Sequence, residues 1–283
     1  MEYMRKNIKY IAKAIIFTIC LYLLQTCTAH KEEDSQDNGK KNGIVIRNND
    51  SLYVNYYHNG KTKNISSIKN GNFTGNYNSF HENDTLATQG IMVDSLKTGV
   101  WKFYNTRGQL HEVIHYSLDS AAFKLDPSDF QFMRESLPLN GAVLQIEVPK
   151  TWIFKRQTQK VVFTLQKTCK GNTGFCPVMT MTKDKLNEIS FSKYVEETLK
   201  LLPQMSVVEV VEQNELIIDG LPAFQVKYLS NPGGLLLGNI ATFINHSDNV
   251  YIIMASSTNQ TRGEFLKYSG LFEEITNSLQ IHN

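Results

Sequence analysis

The first apolar run, Ala14 to Leu24 (AIIFTICLYLL), follows a basic segment carrying Arg5, Lys6, Lys9 and Lys13. A helix that crosses a membrane needs about 20 apolar residues, so this shorter run predicts a signal-peptide core. Past Cys27 the chain becomes polar and aperiodic, THKEEDSQDNGKKNG apart from Ala29, which predicts a flexible tether over residues 27–50. Between residues 51 and 118 the pattern repeats every 24 residues. Tyr53, Tyr77 and Trp101 share one step, as do Tyr56, Phe80 and Tyr104, the turn-formers Gly60, Asp84 and Gly108, and the apolar Ile68, Met92 and Tyr116. Each unit predicts an aromatic strand, a tight turn and a second short strand, and stacked hairpins of this kind make an elongated antiparallel sheet. Residues 119–138, with Asp126-Pro127-Ser128-Asp129 and little periodicity, predict a connector.

From 139 to 283 the pattern changes. Strands are predicted at Val143–Val148, Val161–Leu165, Val178–Thr182, Val207–Val211, Leu216–Ile218, Ala223–Tyr228, Ile240–Ile244 and Val250–Ala255. Phe191, Tyr194, Val195, Leu199 and Leu202 share one face of a helix that Pro203 would end. Thr261 and Glu264 have the spacing of a capping box. Phe265, Tyr268, Phe272, Ile275 and Leu279 follow at helical spacing. Strands in runs with helices between and after them predict an α+β fold, its helices covering an antiparallel sheet.

Four stretches of the chain resemble known motifs or families. Leu24-Gln25-Thr26-Cys27 resembles the bacterial lipobox, which implies cleavage of residues 1–26 and lipidation of Cys27; the alternative is an ordinary signal peptide cut nearby, with Cys27 incidental. Lys31-Glu32-Glu33-Asp34 resembles the acidic sorting signal of surface-exposed Bacteroidetes lipoproteins, and also reads as a solvated charge run. Gly99-Val100-Trp101-Lys102-Phe103-Tyr104 followed by Gly108-Gln109-Leu110 resembles the MORN-variant repeat, whose members are mostly interaction or spacer modules. In the C-terminal half, Val148-Pro149-Lys150-Thr151-Trp152, Ile218-Asp219-Gly220-Leu221-Pro222-Ala223, Asn249-Val250-Tyr251-Ile252-Ile253 and Ser278-Leu279 resemble the PsbP-like fold, which includes DcrB-type lipoproteins. That resemblance implies a binding or accessory role and transfers no catalytic residues.

Charge removes one class of partner. The formal net charge is +2, but removing the basic leader leaves a near-neutral chain without the basic stripe that neutralises phosphates, so nucleic acid is not expected. Cys169 and Cys176 flank a six-residue turn between two predicted strands. In an oxidising compartment they are expected to form a disulfide, two free thiols being the alternative.

His111-Glu112-Val113-Ile114-His115 matches H-E-x-x-H, and Glu135 stands twenty residues beyond as a third ligand candidate. That chemistry needs a helix. Here the segment follows a Gly turn, carries adjacent β-branched residues and occupies the second-strand slot of the repeat. On a strand the two histidines stand roughly 13 Å apart, too far to share one metal. The sequence therefore reads as a cell-envelope lipoprotein, at the periplasmic face or the cell surface, held to a membrane by its lipid. It has no expected cofactor and would serve as a non-enzymatic accessory or scaffold module for a protein partner. A zinc-dependent envelope hydrolase is the enzymatic alternative. A secreted glycoprotein is a third, since Asn64-Ile65-Ser66 and Asn72-Phe73-Thr74 are sequons.

Overall fold

Residues 43–125 run back and forth as eight strands: β1 (Gly43–Arg47), β2 (Asp50–Tyr56), β3 (Thr62–Lys69), β4 (Asn72–Phe80), β5 (Leu86–Val93), β6 (Leu96–Tyr104), β7 (Leu110–Tyr116) and β8 (Ala122–Leu125). They form one antiparallel sheet in chain order. The computed structural model describes residues 42–282 apart from 48–49, 118–120, 140, 158–159, 170–174 and 260–263. Cys27, the leader 1–26, most of the tether and Thr261 lie outside the described residues.

The 24-residue period is a period of turns. At one end of the hairpins Gly60, Asp84 and Gly108 have φ of 76°, 67° and 75°. Each donates its N–H to the carbonyl three residues back, on Tyr57, His81 and Asn105. At the other end Asn70-Gly71 and Asp94-Ser95 put two successive residues at positive φ, as the tightest hairpin turns require. Bulges recur at the same step, between Asn55 and Tyr56, Ser79 and Phe80, and Phe103 and Tyr104. Neighbouring units are then tied by equivalent bonds. Tyr57 Oη donates to the Phe80 carbonyl, His81 Nε2 to Tyr104 and Asn83 Nδ2 to Thr106, at 2.7, 2.9 and 2.8 Å.

Trp101 is the packed centre of this sheet, 1% exposed. Its ring lies between Tyr77 and Tyr116, with centroids 5.3 and 6.2 Å away. Its Nε1 donates to the carbonyls of Ile91 and Thr98. The ring sits on Gly90, where a Cβ would fall 2.3 Å from Trp101 Cδ2.

Two further sheets follow. The strands are β9 (Phe132–Leu139), β10 (Ala142–Pro149), β11 (Trp152–Arg156), β12 (Val161–Lys167), β13 (Val178–Lys185), β14 (Val207–Ile218), β15 (Leu221–Ser230), β16 (Leu237–His246), β17 (Asn249–Thr258) and β18 (Gln280–His282). β18-β10-β9 form a three-stranded sheet and β11-β12-β13-β17-β16-β15-β14 a seven-stranded one. The helices among the described residues are α1 (Phe191–Leu199) and α2 (Glu264–Asn277), besides three short 3-10 turns. Cys169 and Cys176, between β12 and β13, are joined in a disulfide with Cα atoms 6.0 Å apart.

The expected α+β arrangement, helices covering an antiparallel sheet, is overturned. The described chain is mostly strand, in three antiparallel sheets. α1 is short and fully buries only Val195. α2 is no cover: it is embedded where the three sheets meet, in contact with β16 and β17, with β10, and with β6, β7 and β8. Five strands were not expected: β1, β8, β9, β11 and β18. Residues 121–138, expected as a connector, carry β8, a 3-10 turn at Pro127–Phe130 and most of β9. Segments such as FMRESLPL at β9 lack the strict alternation that marks a strand in sequence.

One core runs through this junction, from Val113 and Leu125 of the hairpin sheet through Phe272 and Ile275 of α2 to Leu144, Leu165 and Ile253. Gly270 sets how closely α2 approaches. A Cβ there would lie 2.6 Å from Val100 Cγ2 and 3.4 Å from His115 Cε1. Lys102 of β6 ion-pairs with Glu274 of α2.

Gly270→Ala isolates this contact, because helix propensity alone favours Ala by about 1 kcal/mol. We expect a net loss of about 1–3 kcal/mol from overpacking, and a similar loss for Gly90→Ala under Trp101. Gly43, where an added Cβ meets nothing within 4 Å, should change by less than about 0.5 kcal/mol on substitution by Ala. Urea unfolding of the three variants checks the ranking. Cys169→Ser should cost about 2–3 kcal/mol, the closure entropy of so short a loop, and the same unfolding series with and without reductant measures it.

Candidate protein-interaction face

β14 reads VVEVVEQNELII, and its β-branched residues favour the extended chain. It ends the seven-stranded sheet, pairing with β15 alone among the described strands. Edge strands are commonly guarded by charge and bulges, and β14 has both: Glu209, Glu212 and Glu215, with bulges between Val207 and Glu209 and between Val210 and Glu212. From Glu212 to Ile218 its register is regular. It is nonetheless apolar outside, with Val208, Val211 and Ile217 exposed by 63%, 53% and 71%.

α1 lies against the same sheet. Ser190 caps it, its Oγ accepting from Lys193 N–H at 3.2 Å. Val195 enters a second core with Val226, Tyr228 and Phe243. Tyr194 donates its hydroxyl to Asp184 Oδ2 of β13 at 2.8 Å. Burial first, and then the Asp184 carboxylate, push its pKa up to about 12, so the phenol stays a donor at physiological pH.

Between α1 and β14 runs a groove of about 670 Å3. Pro222, Ala223 and Phe224 of β15 line it together with Phe191, Val195 and Leu199 of α1 and Leu216 and Ile217 of β14. Its charged lining residues are Glu196 and Glu215. Glu196 is engaged by Lys200 and Lys193, which hold its carboxyl below the ordinary range. Glu215 has no ion pair among the described residues.

The other face of β14 is pinned from behind. Lys227 of β15, mostly buried, bonds Glu212 at 2.8 Å and Glu273 of α2 at 2.6 Å. Burial alone would lower the Lys227 pKa, but Glu273 and Glu212 together hold it above its ordinary value. Bonds from Lys227 and Asn214 hold Glu212 below its own.

The H-E-x-x-H segment is the strand its sequence predicted, β7. His111 is exposed, and His115 is buried against α2 at Gly270. Glu112 pairs with Lys124 at 2.9 Å, and Glu135 on β9 pairs with Arg156 at 3.0 Å. Among the described residues no group of three or more His, Cys, Asp or Glu side chains is placed to hold a metal ion.

Asp129 is a polar residue the sequence did not single out. It is 3% exposed and accepts from Trp152 Nε1 at 2.9 Å and Thr151 Oγ1 at 3.3 Å. It also ion-pairs with Lys167, whose ammonium lies 5.4 Å from the Tyr268 ring centre. The knot joins the 3-10 turn after β8 to β11, β12 and α2. Its local signal was Asp126-Pro127-Ser128, where Asp126 caps the turn through Ser128 N–H at 2.9 Å.

No protein-family model matches the chain, and no curated protein matches it significantly. Solved structures similar to part of it include LpqN of Mycobacterium tuberculosis, described as involved in cell envelope biogenesis. That likeness has 11% identity and a TM-score of 0.43, covering 54% of this chain and 92% of that one. A cyanobacterial PsbP from Synechocystis matches at 11% identity and 0.40, covering 53% and 92%. The Ran-binding protein Mog1p of Saccharomyces cerevisiae matches at 10% and 0.39, covering 53% and 96%.

The Lys227 clasp makes a pH prediction. Because the folded pKa of Glu212 is depressed, its stabilisation is present above the ordinary carboxylate pKa of about 4.3. It is lost as pH falls through the lower folded value. Glu212 is 45% exposed, so screening discounts the pair to about 1 kcal/mol. Lys227→Met should lower stability by about that much at pH 7 and flatten the acid limb, read from urea unfolding between pH 3 and 7.

Proposed function

We propose that this chain is exported, held to a membrane of the cell envelope by a lipid on Cys27, and acts there as a non-enzymatic accessory module that binds a protein partner through β14 and the adjoining groove. The observation that carries the binding role is a twelve-residue edge strand, exposed at Val208, Val211 and Ile217, beside an apolar groove. Unsatisfied backbone along an edge and contiguous exposed apolar surface are what strand-adding partners use. The hairpin repeats, fused to the body through α2, would serve as a rigid spacer. The address rests on the leader and the lipobox-like Leu24-Gln25-Thr26-Cys27. Several acyl chains together make such anchoring stable.

Two comparisons test the reading. Cys27→Ser should move the protein from the membrane fraction to the soluble fraction of the same cells, and unchanged fractionation removes the anchor. Capture from native membranes should retain a specific protein with the parent chain and lose it with Ile217→Glu, while Gly43→Ala retains it. Equal capture by all three removes β14 as the binding face.

A further inference from the structure

We infer that the occupant of β14 is an extended, basic segment of another protein, added as an eighth, outer strand of this sheet along Gln213–Ile217 with Lys or Arg side chains directed at Glu215. This rests on the reading of β14 as the binding face. Strand addition has one suitable place on this edge. The bulges disrupt the ladder up to Glu212, whereas Glu212 to Ile218 keep a regular register against β15, so a partner finds an undistorted template there.

Faces follow from period two. Gln213, Glu215 and Ile217 lie on the α1 side, opposite Val226, Phe224 and Pro222, and all three line the groove. A strand laid outside β14 therefore brings every second side chain beside Glu215 and Ile217. Long basic side chains fit this position: the aliphatic stem covers apolar surface while the charged head stays hydrated. Ile217, Pro222 and Phe224 supply the surface, and Glu215 supplies a carboxylate with no ion pair among the described residues.

Charge also selects against the other occupants. β14 carries three glutamates and no Lys or Arg. Of these, Glu212 alone is answered among the described residues, by Lys227. Two copies joined edge to edge would bring six glutamates into one strand pair with no basic residue on either strand, and like charges across a pair are destabilising. An acidic segment meets the same repulsion.

The test uses the full chain in detergent and two capped octapeptides, one of alternating Lys and Val and one of alternating Glu and Val, with binding followed by calorimetry. The Lys-Val peptide should bind and the Glu-Val peptide should not. Glu215→Lys should weaken Lys-Val binding about tenfold, and Glu215→Gln less, with the affinity falling as salt rises. Glu82→Lys, the same charge change on an exposed turn of the hairpin sheet, should leave it unchanged. Backbone addition is read separately. Methylating alternate peptide nitrogens in one frame should abolish binding and in the other frame should not, since an added strand donates every second N–H. Equal binding of both peptides, an unaffected Glu215→Lys, or tolerance of both methylation frames would overturn the proposal, as would sedimentation of the unliganded chain as a dimer that Glu215→Lys alters. If Ile217→Glu still abolishes capture of a membrane partner while the Lys-Val peptide does not bind, the binding face stands and its basic occupant does not.

Discussion

The close approach of α2 to the hairpin sheet, made possible at Gly270 by the absence of a side chain, is the constraint on which the rest of the molecule depends. A surface helix buries one stripe and exposes the other. Of the α2 residues whose burial is described, Asn277 alone is exposed. Phe265, Leu271, Phe272 and Ile275 supply the core, while Ser269, Gly270 and Thr276 are small where neighbouring strands crowd the helix. The two adjacent carboxylates show the same geometry. Successive residues on a helix point about 100° apart, and Glu273 reaches Lys227 of the seven-stranded sheet while Glu274 reaches Lys102 of the hairpin sheet. α2 therefore clamps two sheets with consecutive residues, and β14 inherits its position from the Lys227 end of that clamp.

The hairpin repeats were legible because a short turn leaves a chemical mark at every step. Gly60, Asp84 and Gly108 were visible in sequence, and they occupy the left-handed backbone that glycine and aspartate tolerate best. The second set of turns, at Asn70-Gly71 and Asp94-Ser95, carries the same chemistry, but the aromatic register places the unit boundary elsewhere. Gly90 could not be interpreted from sequence alone. Its need arises from the Trp101 ring lying on it across a strand pair, and nothing local to residue 90 records a neighbour eleven residues away.

The C-terminal strands were legible wherever apolar residues alternate, and the apolar positions of α2 were found at helical spacing. What failed was the arrangement. Period-two patterning says that a strand has a buried face, but it does not say which sheet the strand joins or whether a helix lies outside or between sheets. By pattern Val207–Val211 and Leu216–Ile218 are two strands, because Glu212 to Glu215 interrupts the apolar run. They form one edge strand, in which polar residues are tolerated because little of it is buried. The candidate face was hidden for the same reason: an edge is defined by a missing neighbour, and a sequence has no sign for that. His115 shows the converse. Its motif suggested a ligand, whereas its strand placed it in the seam against Gly270.

The construction of β14 bears on specificity. A long apolar edge invites indiscriminate pairing, and the bulges and glutamates of its first half oppose that. The second half keeps a regular ladder and an apolar groove, with its charge placed on the rim at Glu215. Exposed charge contributes little to affinity but does decide which strands approach and persist. In the proposed complex, backbone pairing would supply adhesion that is blind to sequence, and the carboxylates would restrict it to partners of opposite sign. Because α2 fixes this edge to the hairpin sheet through Lys227, Glu273, Glu274 and Lys102, a strand bound at β14 would be held at a set distance and angle from the repeats, as a spacer requires.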